Sequence, residues 1–260
     1  MRLCAGLFVI TVITGISMVG VKMSWGANVC VVCHQSPETM RSLPHWYQDV
    51  FVHWYGSVHG KKGVTCEKCH GGDSTQSEKE LAHKGVMPSG DPASRVYYEA
   101  LPKTCGSCHK EVYQQFVQSR HYKNLEANRL APTCTTCHGI RMDIGPVVPL
   151  LIASRCPLCH NSQQGGVKPE VASLAVKTLE KLAETKRTIQ KAEVAIELVK
   201  EQRREPKAAE KLLKTAQDRL RGTGALWHRF RLDDFKRELI QIQGAADEAY
   251  SAATTVMLKK

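Results

Sequence analysis

The sequence predicts a mostly α-helical protein in which a region with much irregular structure precedes an antiparallel helical domain. Two observations separate these parts. Residues 28 to about 165 hold ten of the 11 cysteines, with glycine, proline and short polar turns between them. From about Val171 onward cysteine is absent and Ala, Leu, Glu, Lys and Arg dominate, as is typical of long helices. We therefore expect three segments, at residues 1–27, 28–167 and 168–260.

The last segment shows apolar residues at helical spacing. A helix from about 170 to 203 is predicted because such residues recur there every seven positions, at Ala175, Leu182, Ile189 and Ile196. Pro206 suits the first turn of a second helix. Asp233 or Asp234 is predicted to cap a third helix, from about 234 to 258. Short connections between three helices predict a bundle that serves packing or dimerisation.

The cysteines of residues 28–167 repeat one pattern, C-x-x-C-H. Two cysteines three positions apart can reach the two vinyl groups of one porphyrin, while the adjacent histidine turns its imidazole onto the iron. This is the attachment signature of haem c. It occurs five times, at Cys30/Cys33/His34, Cys66/Cys69/His70, Cys105/Cys108/His109, Cys134/Cys137/His138 and Cys156/Cys159/His160.

Five motifs predict five covalently bound haems c. Zinc would use the cysteine pairs two at a time and gives no reason for a histidine after each of an odd number of pairs, so zinc and disulfide interpretations fit poorly. A segment this short cannot bury five porphyrins in a conventional core. We therefore expect a pentahaem-wrapped cytochrome domain over residues 28–167, in which the stacked macrocycles form the core.

Five irons need ten axial ligands, and the motif histidines supply five. The chain has six other histidines, which are His45, His53, His59, His83, His121 and His228. Their number predicts mostly bis-histidine haems, which are six-coordinate, low in potential and suited to electron transfer.

The position of each spare histidine ranks it as a distal ligand. His59, just before the second motif, and His121, after the third, look like distal ligands. Because His45 and His53 lie in twin His-Trp-Tyr stretches, we expect one of them to bind iron and the other not. The two further candidates are His83 and His228. Met40 is an alternative ligand for the first haem.

The formal net charge is +11. On a protein without cofactors this charge would indicate nucleic acid or an anionic membrane as partner. Five haems bring about ten propionate charges, so we expect much of the lysine and arginine to balance the cofactors. The sequence contains no aromatic-basic motif or known nucleic-acid-binding module, and we predict no nucleic-acid partner.

The first residues predict entry into a membrane. Leu3–Val21 contains no charged residue. Its length approaches the span of a bilayer and favours a retained anchor, while Ser24-Trp25-Gly26 offers a pattern for signal-peptide cleavage. In both cases we expect the haem domain on the periplasmic side of the cytoplasmic membrane. Cys4, the one cysteine outside a motif, is predicted to be an inert apolar residue.

Several stretches resemble multihaem c-type cytochromes of anaerobic respiratory chains, namely Trp54–Gly60, Gly63–Asp73, Cys105–His109, Ser119–His121 and Pro132–Gly139. A charge-free segment leading straight into the first motif is similar to the membrane-anchored NapC/NirT quinol-dehydrogenase cytochromes. The helical tail with Trp227-His228 is similar to the end region of the hydroxylamine oxidoreductase and nitrite reductase superfamily. These resemblances imply electron transfer from membrane quinol to a partner oxidoreductase or downstream cytochrome.

Two departures from these families bear on function. Arg141 stands where related cytochromes carry a second histidine after C-H-G, so one expected distal ligand is missing. All five motifs end in histidine, whereas the pentahaem nitrite reductases have lysine in their catalytic motif. The alternative function is a reductase or oxidoreductase of a small nitrogen or sulfur compound at one open haem, with Arg141 binding the anion. In the competing hypothesis Arg141 pairs with a propionate and His228 supplies the missing ligand.

The order of the motifs also predicts a direction for electrons. The first haem, attached at Cys30 near the membrane, is the natural input from quinol. The fourth and fifth motifs start only 22 residues apart, so their haems should lie close together and form the exit. The C-terminal helices are predicted to support an oligomer.

Overall fold

The computed structural model describes residues 28–47, 49–127, 129–139, 145, 148–161, 163 and 168–259. Within these ranges the regular structure is helical and no strand occurs, so the predicted mostly α class with irregular segments is confirmed. The predicted anchor or signal Leu3–Val21, Cys4 and Arg141 lie outside the described residues. No helix in the described part of the chain is both long and apolar enough to cross a membrane.

The cysteine-rich region is built from short helices joined by turns. They are α1 Val29–His34, α2 Pro37–Ser42, α3 Val50–Gly56, α4 Val58–Lys61, α5 Cys66–His70, α6 Lys79–Ala82, α7 Leu101–Gly106, α8 Lys110–Phe116, α9 Arg120–Glu126, α10 Cys134–His138 and α11 Pro149–Arg155. Two 3₁₀ turns cover His45–Tyr47 and Cys156–Leu158. Helices of this length are not stable alone, because the free-energy cost of nucleating a helix exceeds the stabilisation from a few hydrogen bonds. Their positions therefore depend on tertiary contacts.

Side-chain caps determine where several of these helices begin. Asn28, Ser57 and Ser119 adopt extended backbone before α1, α4 and α9, and each side-chain oxygen accepts a hydrogen bond from an amide in the first turn. Such caps satisfy amides that have no partner within the helix. Two of the three, Ser57 and Ser119, start the helices that carry His59 and His121.

Three long helices follow, α12 Glu170–Glu201, α13 Lys207–Trp227 and α14 Leu232–Leu258. Arg204, just after α12, donates hydrogen bonds from Nη1 to the carbonyl oxygens of Val256 at 2.7 Å and Met257 at 3.2 Å. The ends of α12 and α14 therefore lie together, so these two helices run in the same direction. The short connections make α13 antiparallel to both, as a three-helix bundle requires.

The bundle core is rich in alanine, which lets the helices approach closely. Fully buried residues come from all three helices, and they include Ala192, Ile196, Val199, Ala209, Ala216, Phe235, Leu239, Ile242 and Ala246. A second apolar cluster joins the two regions: Ile152 of α11 packs against Ala175 and Leu179 of α12, with Cys137 and Cys156 beside them. The first half of α12 thus covers the fourth and fifth motifs.

The helix ends differ slightly from the predictions. The first long helix stops at Glu201, because Arg203 adopts the left-handed conformation with φ 57°. The predicted cap of the third helix was wrong: α14 begins at Leu232, and Asp233 and Asp234 lie within its first turn. There their negative charges face the positive end of the helix dipole. The segment boundaries at residues 27 and 167 stay predictions.

Candidate haem-attachment sites

Most of the C-x-x-C-H motifs lie on one turn of helix. The first, second and fourth motifs fall within α1, α5 and α10, the third begins at the end of α7, and the fifth begins on the 3₁₀ turn Cys156–Leu158. Residues three apart on a helical turn point to the same side, so both cysteines of a motif can face one planar group. No disulfide bond joins any of the ten motif cysteines.

Three of the predicted attachment cysteines differ from the others in solvent exposure or in local backbone structure. Cys33 and Cys108 are exposed, whereas the other eight motif cysteines are half-buried. Cys108 follows the end of α7, and Cys159 follows the 3₁₀ turn Cys156–Leu158, so neither lies within a helix as the second cysteines of α1, α5 and α10 do. A core of stacked macrocycles would enclose all ten thiols, but the surrounding protein atoms alone do not enclose Cys33 and Cys108. Haem attachment at all ten cysteines stays a prediction that rests on the motif.

Each motif lies next to the motif that follows it in the chain. Burial, together with the nearby Cys30, raises the pKa of Cys66 to about 11, and burial and Cys105 raise the pKa of Cys69. A hydrogen bond with the thiol of Cys134, and then burial, raise the pKa of Cys105. Burial and the nearby Cys156 raise the pKa of Cys137 to about 11. Consecutive motifs are therefore neighbours in space, from the first to the fifth.

Histidine rings face each other in four pairs. Each pair contains one motif histidine and one of the six other histidines. The ring centroids are 5.9 Å apart for His34 and His83, 6.0 Å for His59 and His109, 6.1 Å for His121 and His160, and 6.1 Å for His138 and His228.

This separation matches what a shared metal ion requires. An imidazole nitrogen binds a metal at about 2 Å and the ring centroid lies about 1 Å further away, so two imidazoles on opposite sides of one iron have centroids about 6 Å apart. All four pairs fall within 0.2 Å of one another. The residues present therefore fit a haem iron between each pair.

Backbone carbonyls orient four of these rings. The Nδ1 atoms of His83, His138, His160 and His228 lie 2.8, 2.8, 3.3 and 2.9 Å from the carbonyl oxygens of Lys79, Gly145, Lys168 and Gly224. A carbonyl only accepts hydrogen bonds, so in the neutral rings the proton sits on Nδ1 and the lone pair on Nε2. This arrangement is typical of metal-binding histidines, whose second nitrogen is held by a neighbouring acceptor.

Burial keeps several of the imidazoles neutral. Desolvation is the largest cause that lowers the pKa of His34, His59, His70 and His228, and burial with the nearby His160 lowers the pKa of His121 to about 4. A neutral imidazole is the form that binds a metal. The buried Nδ1 of His121 has no hydrogen-bond partner among the described residues.

The second motif lacks such a pair. In the part of the chain that the structure describes, no histidine ring faces His70 at the separation seen in the other four. His45 lies exposed on the 3₁₀ turn and His53 is half-buried in α3. The choice between His45 and His53 as a ligand therefore stays a prediction.

In the described ranges no three His, Cys, Asp or Glu side chains form a metal-binding group, as a zinc site would need.

Comparisons with known proteins agree with the motifs. The C-type polyheme cytochrome OmcC of Geobacter sulfurreducens is 28% identical over 122 residues, which cover 44% of this chain and 14% of that protein. The C-type polyheme cytochrome OmcB from two strains of the same organism is 29% identical over 123 residues, with the same coverage. The chain thus matches about a seventh of the length of these curated relatives. No protein-family model and no solved structure matches the chain.

The motifs and this similarity together support one class of protein, a multihaem c-type cytochrome. Covalently bound haem c follows from that class.

Proposed function

We propose that this chain carries five haems c and relays electrons along them, from membrane quinol to a partner oxidoreductase or downstream cytochrome. The observation that supports it best is the set of four facing histidine pairs. Iron between two imidazoles is six-coordinate, so it changes oxidation state without binding a substrate. An arrangement of this kind suits conduction rather than catalysis.

The four pairs support a proposal for the distal ligands of four haems. We assign His83 to the first haem, His59 to the third, His228 to the fourth and His121 to the fifth. His59 precedes the second motif yet serves the third haem, and His83 follows the second motif yet serves the first. The chain therefore crosses between neighbouring haems and holds them together. For the second haem the candidates are His70 with either His45 or His53.

The row of motifs supports a linear electron path in sequence order. Cysteines of consecutive motifs lie close enough to influence each other's pKa from the first motif to the fifth. Since each cysteine would hold the haem of its own motif, consecutive haems would be neighbours. Electrons enter at the first haem, whose motif follows the Leu3–Val21 segment in the chain, on the periplasmic side of the membrane, and leave at the fifth.

A count of haems and spin states tests this proposal. The full-length oxidised protein should contain five haems by the pyridine haemochrome assay, and electron paramagnetic resonance (EPR) should show low-spin ferric iron in the four paired sites. Replacing His45 or His53 by methionine separates the candidates for the second haem, since only the ligand's variant acquires the methionine–iron charge-transfer band. Fewer than five haems, or high-spin iron in two or more of them, would overturn the proposal.

The alternative, a haem-based reductase of a small nitrogen or sulfur compound, rested on a missing ligand near Arg141. His228 faces His138 and offers the fourth haem that ligand. The two proposals are separated by adding nitrite to the oxidised protein. A high-spin signal that shifts with nitrite would favour catalysis, whereas an unchanged low-spin spectrum supports electron transfer.

A further inference from the structure

The turn between α13 and α14 reaches two neighbouring haem sites. His228, the residue that follows α13, faces His138 with the two ring planes only 8° apart. Two residues later, the ring of Phe230 packs edge to face against His121, with centroids 4.5 Å apart and planes at 77°. This short turn thus supplies the proposed distal ligand of the fourth haem, His228, and contacts that of the fifth, His121.

Phe230 adopts a backbone conformation that bulky residues rarely use. Its φ is 56°, in the left-handed region. The amide of Phe230 donates a 3.0 Å hydrogen bond to the carbonyl of Trp227, and its ring also lies near Phe116 at 6.3 Å. Such a conformation persists only where surrounding contacts over-determine it, and it often marks a functional position.

His121 differs from the other proposed ligands in how its ring is held. Carbonyl oxygens fix the rings of His83, His138, His160 and His228 through Nδ1, but the buried Nδ1 of His121 has no hydrogen-bond partner in the described residues. No polar contact of Nδ1 therefore sets the rotation of His121. The closest aromatic ring against it is Phe230.

We propose that Phe230 is a positioning residue for His121, and that its ring sets the rotation of the imidazole on the fifth haem. This inference rests on the proposed haem ligation. The planes of His121 and His160 are 78° apart, the largest angle among the four pairs. Nearly perpendicular imidazoles give ferric haem a strongly anisotropic EPR signal with a large maximum g value, whereas parallel imidazoles give a rhombic one. The fourth and fifth haems should therefore be distinguishable.

The test uses EPR of the oxidised full-length holoprotein. Two variants first assign the signals: His228→Met should remove the rhombic signal and His121→Met the signal with the largest g value. Phe230→Gly removes the ring but tolerates the positive φ, and Phe230→Leu keeps much of the side-chain volume. Both should move the His121 signal to lower maximum g and leave the rhombic signal unchanged. Phe230→Tyr, which keeps the ring, should retain the original spectrum.

Arg231→Ala, in the same turn but paired with Asp234, is the matched control and should leave the signal unchanged. Circular dichroism and the haem count verify that each variant is folded. If Phe230→Gly does not fold, the EPR spectrum of Phe230→Leu tests the role of Phe230. A wild-type g value in the folded leucine variant overturns the role of Phe230. The planes of His59 and His109 are also steeply inclined, at 69°, so the ligand assignment is overturned if His121→Met leaves both the largest g value and the intensity of the large-g signal unchanged. The two failures are therefore separate.

Discussion

His83 and His228 both occupy the position that follows a helix, after α6 and α13. In each case Nδ1 lies close to the carbonyl four residues earlier, that of Lys79 or Gly224. Carbonyls in the last turn of a helix can accept a hydrogen bond from a side chain that follows it, and each of these histidine rings is placed to donate one. The same bond leaves Nε2 directed outward as a lone pair. A histidine at a helix end is thus a sequence signal for a ligand that counting histidines alone misses.

Replacement of this single side chain, His228→Ala, should leave the fourth iron without its proposed distal ligand. We expect a high-spin ferric signal from about one haem in five, because a histidine-ligated haem that loses one axial imidazole becomes five-coordinate. Added imidazole should restore the low-spin spectrum. The control is an alanine replacement of whichever of His45 and His53 does not bind iron, which should show no high-spin signal. An unchanged spectrum in His228→Ala would contradict the assignment.

The short helix α4 shows how an element aims a ligand. Ser57 caps it, with Oγ 3.0 Å from the amide of Gly60 and 2.6 Å from the carbonyl of Trp54. Trp54 is buried and donates from Nε1 to the carbonyl of Val64 at 2.8 Å. These bonds fold the chain tightly around His59. Gly60 is required there because a Cβ would overlap the carbonyl oxygen of Trp54.

Gly60→Ala should therefore displace α4 and weaken the ligation of the third haem. Overpacking of this kind costs about 1–3 kcal/mol in the free energy of unfolding. Guanidinium denaturation followed by helix content would measure it, together with the EPR signal of the His59 site. Gly56→Ala is the matched control, since a Cβ at Gly56 meets nothing within 4 Å. Equal stability of the two variants would refute the argument.

The long helix α12 shows why its apolar stripe tolerates polar residues. Thr178 and Thr185 are polar residues on the apolar face of α12, and both are buried. Their hydroxyls donate to the carbonyls of Leu174 at 2.7 Å and Lys181 at 2.9 Å, four residues earlier. A buried hydroxyl bonded within its own helix leaves no unsatisfied group. The spacing of apolar residues predicted a helix that ends at about residue 203, and α12 ends two residues earlier, at Glu201.

Across the whole molecule, the excess of positive charge is larger in the helical segment than in the segment that holds the motifs. Residues 168–260 contain 20 lysines and arginines against 14 aspartates and glutamates, although none of the five motifs lies there. Residues 28–167 contain 14 against 11. Most of the positive charge thus belongs to the helical segment, and the balancing of haem propionates by lysine and arginine stays a prediction.

The two regions are joined by the packing of α11 on α12. Ile152 is only 2% exposed, between Ala175 and Leu179. Ile152→Ala should lower the free energy of unfolding by about 2–5 kcal/mol, because it leaves a cavity in this contact. Leu150→Ala, on the same helix but 80% exposed, should change it by less than about 0.5 kcal/mol. Denaturant titration would measure both, and a small loss in Ile152→Ala would show that the regions are not coupled there.

The attachment motifs and the three long helices were determined by the sequence alone, because each depends on spacing within a few turns of chain. The pairing of histidines was decided only by the tertiary structure. His138 and His228 lie 90 residues apart in the chain yet face each other at 6.1 Å, and spacing along the chain carries no information about that encounter. Phe230 was missed for the same reason, since its role comes from packing against His121. Local patterns predict where haems attach, whereas long-range packing determines which histidine rings face each other.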